Sequence, residues 1–375
     1  MRYLLFFMLI VGSACCSNTE KETQENILNI NIPDDFITLS ADTIFSSVDY
    51  IPLETTEECV MYEIDKLRIY ENEFYLLDKK QKVILVFDKN GRFMRKLDKK
   101  GKGPDEYLSL DDFFIHNSLI YILSNSMQKI LIYDTFFHLK KTFNTGTYAS
   151  NIDFFGDKIF LYSNFSSLQE KNIYVYNMET GKLLNNFKRF EERQRGVGYS
   201  RTTFAKDEEC IYAFFPYDYN IYMLTDKEET VFTTLDFGKK NMFPNEFKDM
   251  SSDERKSYQK SRYSGFSELP IPGIDNLYIS KDLLFFTFVY HMLEYSLFYN
   301  RLQDKLQFGY LKNTVQFPLA QSSHLLIENN SLYSFILPED MIGRAEDYKE
   351  QVPAILTSLK PEDNPLICVH HFSKK

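Results

Sequence analysis

Between Ile64 and Leu97 the chain alternates short apolar runs with polar breaks. The runs cover 64–70, 73–78, 82–88 and 92–97, and each is rich in β-branched and aromatic residues. Glu71-Asn72, Lys79-Lys80-Gln81 and Lys89-Asn90-Gly91 hold the breaks between them. Strand-forming runs of this length, separated by turn formers, predict a four-stranded antiparallel meander.

The same pattern recurs along the chain. An aromatic or apolar position follows each first turn: Tyr75, Tyr121, Phe160, Tyr212, Phe285 and Tyr333. The repeat spacing is about 40–50 residues, the length of a β-propeller blade. Six copies are read, at roughly 64–98, 110–145, 150–190, 201–238, 274–311 and 323–372. The sixth has three good strands and lacks a fourth. The segment 47–53 precedes the first copy and has no partner of its own, so it is expected to complete the last blade and close the ring. Pro52 within it lacks an N–H donor, which suits an outer edge. The expected fold class is therefore all-β: a six-bladed β-propeller with four-stranded blades, the last closed by an N-terminal strand.

Composition narrows the function classes. Of 375 residues, 44% are hydrophobic, enough for a sizeable core. The formal net charge of -10 argues against nucleic acid as a partner, because phosphate binding needs a basic face. At the N-terminus Arg2, the apolar run 3–11 and Gly12-Ser13-Ala14 read as an export signal over 1–14. Cys15-Cys16-Ser17 follows and resembles a bacterial lipobox. The resemblance implies diacylation of Cys15, with Cys16 as the alternative, and a membrane anchor. Residues 15–33 are then expected to hold the lipidated Cys and a flexible tether, and 34–375 the propeller. Cys59, Cys210 and Cys368 remain, an odd number that is no disulfide framework. Buried free thiols are expected, with a Cys59–Cys368 bridge as the alternative.

Further motifs carry a family resemblance. Tyr50-Ile51-Pro52-Leu53-Glu54-Thr55 is one; Val86-Phe87-Asp88-Lys89-Asn90-Gly91, followed by Gly101-Lys102-Gly103-Pro104-Asp105-Glu106-Tyr107, is another. Leu235-Asp236-Phe237-Gly238-Lys239, then Phe243-Pro244, is a third. Together they resemble a family of six-bladed, NHL-like β-propeller lipoproteins of gut anaerobes. That resemblance implies export, lipid anchoring in the cell envelope (outer membrane, periplasmic side or cell surface) and a binding role.

Topology then sorts the loops. In a four-stranded meander the link from blade to blade lies on the same face as the turn between second and third strands. The irregular stretches 98–109, 191–200, 238–273 and 337–365 all fall on this one face, here called the link face. Irregular connections of this length are where function concentrates. Lys102, Glu106, Tyr107, Arg195, Tyr199, Arg201, Tyr217 and Tyr219 are the candidate ligand-binding residues there. Tyrosine can stack on sugars or pack on apolar groups, and arginine takes carboxylates or phosphates. The competing reading is that these residues only pin the loops to one another.

No catalytic residue is assigned. Gly101-Lys102-Gly103 lacks P-loop spacing, and the six histidines lack zinc-ligand spacing. No metal site or cofactor is assigned either, although Asp65, Asp111, Asp112, Asp153 and Asp275 on or near first strands leave calcium in the central channel as an alternative. The expected function is a non-catalytic binding module for a glycan, peptide or envelope protein. A metal-dependent lyase or hydrolase at the channel mouth is the alternative.

Overall fold

The computed structural model describes residues 26–166, 168–190, 203–216, 218–241, 250–262, 271–312, 323–339 and 358–373. Six separate antiparallel sheets follow one another around a central axis, each a meander in chain order. The blades span 66–97, 112–144, 151–189, 204–236, 275–312, and 323–336 with 366–372. The last blade takes its fourth strand from β3 (Phe45–Pro52), which pairs antiparallel with Leu366–Phe372 in the register Ile367↔Ile51 and Val369↔Asp49. The closure expected from 47–53 is therefore present, and Pro52 sits on the outer edge.

The second and third strands of a blade are buried on both faces, so they read as continuous apolar runs. In blade one, Phe74 and Leu76 pack with Ile367 and Val369 of blade six. Tyr75 and Leu77, pointing the other way, pack with Phe113 and Ile120 of blade two. The same alternation puts Tyr121 between blades two and three and Phe160 between blades three and four. The six recurring aromatics do share one register: each stands third after its hairpin turn, opposite Arg68, Phe114, Asp153, Ala205, Tyr278 and Leu326 of the inner strands. Several first turns are two-residue hairpins with both residues left-handed, as at Glu71-Asn72, Asn117-Ser118 and Asn329-Asn330. That geometry matches the twist of the flanking strands.

The N-terminal segment does more than close the ring. β1 (Ile27–Asn29) adds a parallel fifth strand to the outside of blade four, and β2 (Thr38–Ser40) does the same for blade five. The stretch 15–33, expected as a tether, thus joins the fold from Ile27 onward. Three-residue strands carry no readable periodicity; the unpaired outer edges of blades four and five make them strands. Ile30 is fully buried in the core between those blades. Gly309 permits the approach of β2, since a Cβ there would lie 2.9 Å from the Leu39 backbone nitrogen.

A short helix, α1 (Ser252–Arg262), stands in the link between blades four and five. Cys59 and Cys368 are buried, Cys210 is half-buried, and all three are free thiols. His370 and His371 point to opposite faces: the first is buried beside Ser334, and the second pairs with Asp49 at 2.8 Å.

Candidate functional site in the axial channel

The inner strands of the six blades line the axis. Their starts lie on the link face, and their ends lie on the opposite face with the first hairpin turns. Inner strands are short, three to six residues each. Lys66, Arg68, Asp112, Asp153, Lys206 and Glu328 all stand on them.

These residues form an ionic cluster across blades. The Lys66 ammonium donates to Asp112 Oδ1 at 2.6 Å. The other Asp112 oxygen accepts the Ile152 backbone N–H at 2.9 Å, joining blades two and three. Arg68 crosses from blade one to Asp153 Oδ2 on blade three at 3.3 Å, and Lys206 of blade four reaches Asp153 Oδ1 at 2.8 Å. Burial pushes the Asp153 carboxyl up, but the charges of Lys206, Arg68 and Lys66 outweigh that and hold it far below the usual carboxylate range. Burial, with Arg68 nearby, lowers Lys66 to about 8 despite its aspartate partner.

A cavity of about 440 Å³ opens above this cluster. Arg68, Asp153, Phe154, Lys206, Tyr278 and Glu328 supply most of its chemistry, with Asn276 and Asn329 beside them. Its walls use the middles and ends of the inner strands, so it opens on the hairpin face, away from the link face. The Lys206 ammonium also sits 3.6 Å from the centre of the Phe154 ring. Burial raises the Glu328 carboxyl, and Arg68 and Lys206 only partly offset this. Among the described residues, no ion pair or hydrogen bond engages the Glu328 side chain.

The residues expected on the link face have different settings. Tyr107 is fully buried, and its hydroxyl donates to the Lys82 and Leu97 carbonyls. Glu106 accepts the Gly103 N–H at 2.7 Å, and a Cβ on Gly101 would fall 1.8 Å from the same carboxylate. Tyr133 donates to the Asp105 carbonyl and Lys99 pairs with Asp105. The Gly-Lys-Gly-Pro-Asp-Glu-Tyr run is thus a latch between blades one and two, and the two glycines leave room for the Glu106 carboxylate. Lys102 is exposed at its tip. Tyr219 donates to the Ile271 carbonyl and packs on Phe237. Arg195, Tyr199, Arg201 and Tyr217 lie outside the described residues, as do Cys15 and Cys16. None of the four described candidates lines the axial cavity.

The acidic residues noted near first strands divide by role. Asp65 accepts the Lys79 N–H, and Asp111 accepts the Asn125 N–H, so both tie down the residue after their blade's second strand. Asp112 and Asp153 do face the axis, but each is already bonded to an ammonium or guanidinium group. A divalent cation would have to displace those groups, so this donor set does not fit calcium. Among the described residues no three His, Cys, Asp or Glu side chains come together as a metal site.

Sequence reasoning missed Lys66, Arg68, Lys206 and Glu328. A faint signal exists in blade one, where Lys66 and Arg68 place two charges at alternate positions of an otherwise apolar strand. Their partners on other blades lie 46 and 85 residues away, and no local pattern connects them.

Comparison with known proteins bears on fold and family. No curated protein matches the chain. A solved structure of a Bacteroides fragilis protein assigned as exported is similar, with 19% identity and a TM-score of 0.71; it covers 91% of this chain and 100% of its own. A member of the DUF4221 family from Bacteroides vulgatus is 11% identical, with a TM-score of 0.52 over 88% of this chain and 97% of its own. At these identities the likeness is one of fold. A family model matches residues 27–371, from the first residue of β1 to the last blade, and the chain belongs to that family, the domain of unknown function DUF4934.

Proposed function

We propose that this protein is a non-catalytic binding module of the bacterial cell envelope, exported and held by a lipid on Cys15, and that its ligand enters the axial cavity. The observation behind this reading is the cavity itself: a concave site of about 440 Å³ with aromatic walls and a few converging charged groups. Such sites are the default ligand sites of folded domains. The ligand classes that suit it are a glycan or a peptide. A larger envelope protein would instead use the link face, around Lys102, Arg195, Tyr199, Arg201 and Tyr217. The metal-dependent lyase or hydrolase is less well supported, because cations of the chain itself occupy the channel carboxylates.

Two experiments test this. A ligand screen by thermal shift compares the wild type with Arg68→Gln in the channel and with an Arg195→Ala, Tyr217→Ala double variant on the link face. Ligand stabilisation lost only in the channel variant is the expected result; loss only in the double variant would move the site to the link face. For the anchor, Cys15→Ala should release the protein from membranes, since acyl chains supply the apolar attachment. A Cys15→Ala protein that still pellets with membranes, while a Cys16→Ala protein does not, would reassign the lipid to Cys16.

A further inference from the structure

The charges around the cavity do not balance in pairs. Lys66 and Asp112 match one another. Arg68 and Lys206 both turn to a single carboxylate, Asp153. The group that could balance the second cation, Glu328, stands on the sixth blade across the void and is in ion-pair contact with neither. The wall therefore presents one positive charge more than its ion pairs neutralise. It is partly open to solvent, with side-chain exposures of 24% for Arg68 and 35% for Lys206. Beside the two cations lie the flat faces of Phe154 and Tyr278, and near Glu328 the amide side chain of Asn329.

Resting on the reading of the cavity as the binding site, we propose that it takes a small organic monocarboxylate. The ligand carboxylate sits between Arg68 and Lys206 on the side away from Asp153, and its ring or chain lies against Phe154 and Tyr278. Guanidinium and ammonium groups are the natural partners of a carboxylate. A second negative charge on the ligand would meet Asp153 and Glu328, which selects for a single one. An inorganic anion alone would leave most of the 440 Å³ and both aromatic faces uncovered.

Glu328 sets the pH dependence. Its protonated form can donate a hydrogen bond to the incoming carboxylate, whereas its ionised form repels it. Burial keeps Glu328 protonated to higher pH than an ordinary glutamate, with Arg68 and Lys206 opposing. The other titratable groups that face this region are Asp153, held ionised by its cations, Tyr278 and Tyr333, each raised by burial and by Glu328, and His116, lowered by burial and by Lys206. Carboxylate affinity should thus fall as pH rises through the titration of Glu328.

Benzoate and glucuronate, with benzamide and glucose as neutral counterparts, are the probes for calorimetry and thermal shift at millimolar concentration. A carboxylate should bind where its neutral counterpart does not. Glu328→Gln should tighten carboxylate binding and flatten its pH dependence. Arg68→Gln should weaken it by about tenfold or more, the worth of a charged hydrogen bond. Lys89→Ala, exposed in the turn before the outer strand of blade one, should leave it unchanged. Should Arg68→Gln fail to fold by circular dichroism, Glu328→Gln alone decides. Equal binding of neutral and charged probes, absence of binding by both carboxylates, or a Glu328→Gln protein with wild-type affinity and pH profile overturns the carboxylate assignment. The first outcome, if Arg68→Gln abolishes it, keeps the cavity as the binding site; carboxylate binding lost instead in the Arg195→Ala, Tyr217→Ala variant overturns the cavity reading as well.

Discussion

Tyr107 is fully buried, and its hydroxyl bridges the Lys82 and Leu97 carbonyls. Replacing it with Phe keeps the ring and leaves those carbonyls one donor short, which should cost about 1 kcal/mol. Tyr107→Ala should cost about 3–5 kcal/mol, the range for large aromatic truncations in a core. Urea unfolding of both variants checks this; a Tyr107→Phe protein with unchanged stability would argue against the latch. Lys66 offers a second check. Its ammonium is lowered to about 8 in the fold, against an unfolded value near 10.5. Between those values the unfolded chain holds more protons, so this group makes stability rise with pH over that window; below pH 8 its burial cost is fully present. The Lys66 ε-carbon NMR signal should titrate near 8, and a midpoint near 10.5 would show that the residue is hydrated. Asp153 has the opposite sign. Its depressed carboxyl adds stability above the ordinary carboxylate range, and that stability is lost as pH falls toward its folded value.

At the scale of elements, the turns and the pairing edges carry the design. Gly91 turns with φ +82, and a Cβ there would come 2.1 Å from the Pro52 carbonyl oxygen. Its own carbonyl accepts the Glu54 N–H, and Glu54 in turn accepts the Phe93 N–H. The closing strand is thereby stitched to blade one at this turn. Gly91→Ala should lose about 1–3 kcal/mol through left-handed strain and the displaced strand end. A thermal melt equal to wild type would mean that the junction is looser than the contacts imply. The aromatic register belongs to this scale too. Phe160 is buried between blades three and four, so Phe160→Ala should cost about 3–5 kcal/mol in urea unfolding.

The whole molecule is a ring, and each blade buries its faces against two neighbours. Removing residues 1–53 deletes the fourth strand of blade six and both added outer strands, so it should destabilise the entire domain. Removing only 1–25 should leave the melting temperature unchanged. A cut at Ala41 removes β1 and β2 but keeps β3, and should fall between the two. Equal melting temperatures for all three truncations would show that the N-terminal segment is not part of the folding unit.

The sequence by itself determined the blades. Strand runs, turn formers and their recurrence are local features, and burial of the middle strands on both faces writes itself directly into apolar composition. Ring closure was legible too, because one strand was left over and one blade was short. Only the tertiary structure decided the rest. The strands Ile27–Asn29 and Thr38–Ser40 exist because blades four and five offer unpaired edges, which no three-residue window can reveal. The Gly-Lys-Gly-Pro-Asp-Glu-Tyr run stood out in sequence, but its contacts hold two blades together and do not reach into the axial cavity. The channel cluster joins residues of different blades, and each charge is unremarkable on its own strand. Its chemistry arises only when the six inner strands converge on one axis, where burial and proximity make Arg68, Asp153, Lys206 and Glu328 act on one another.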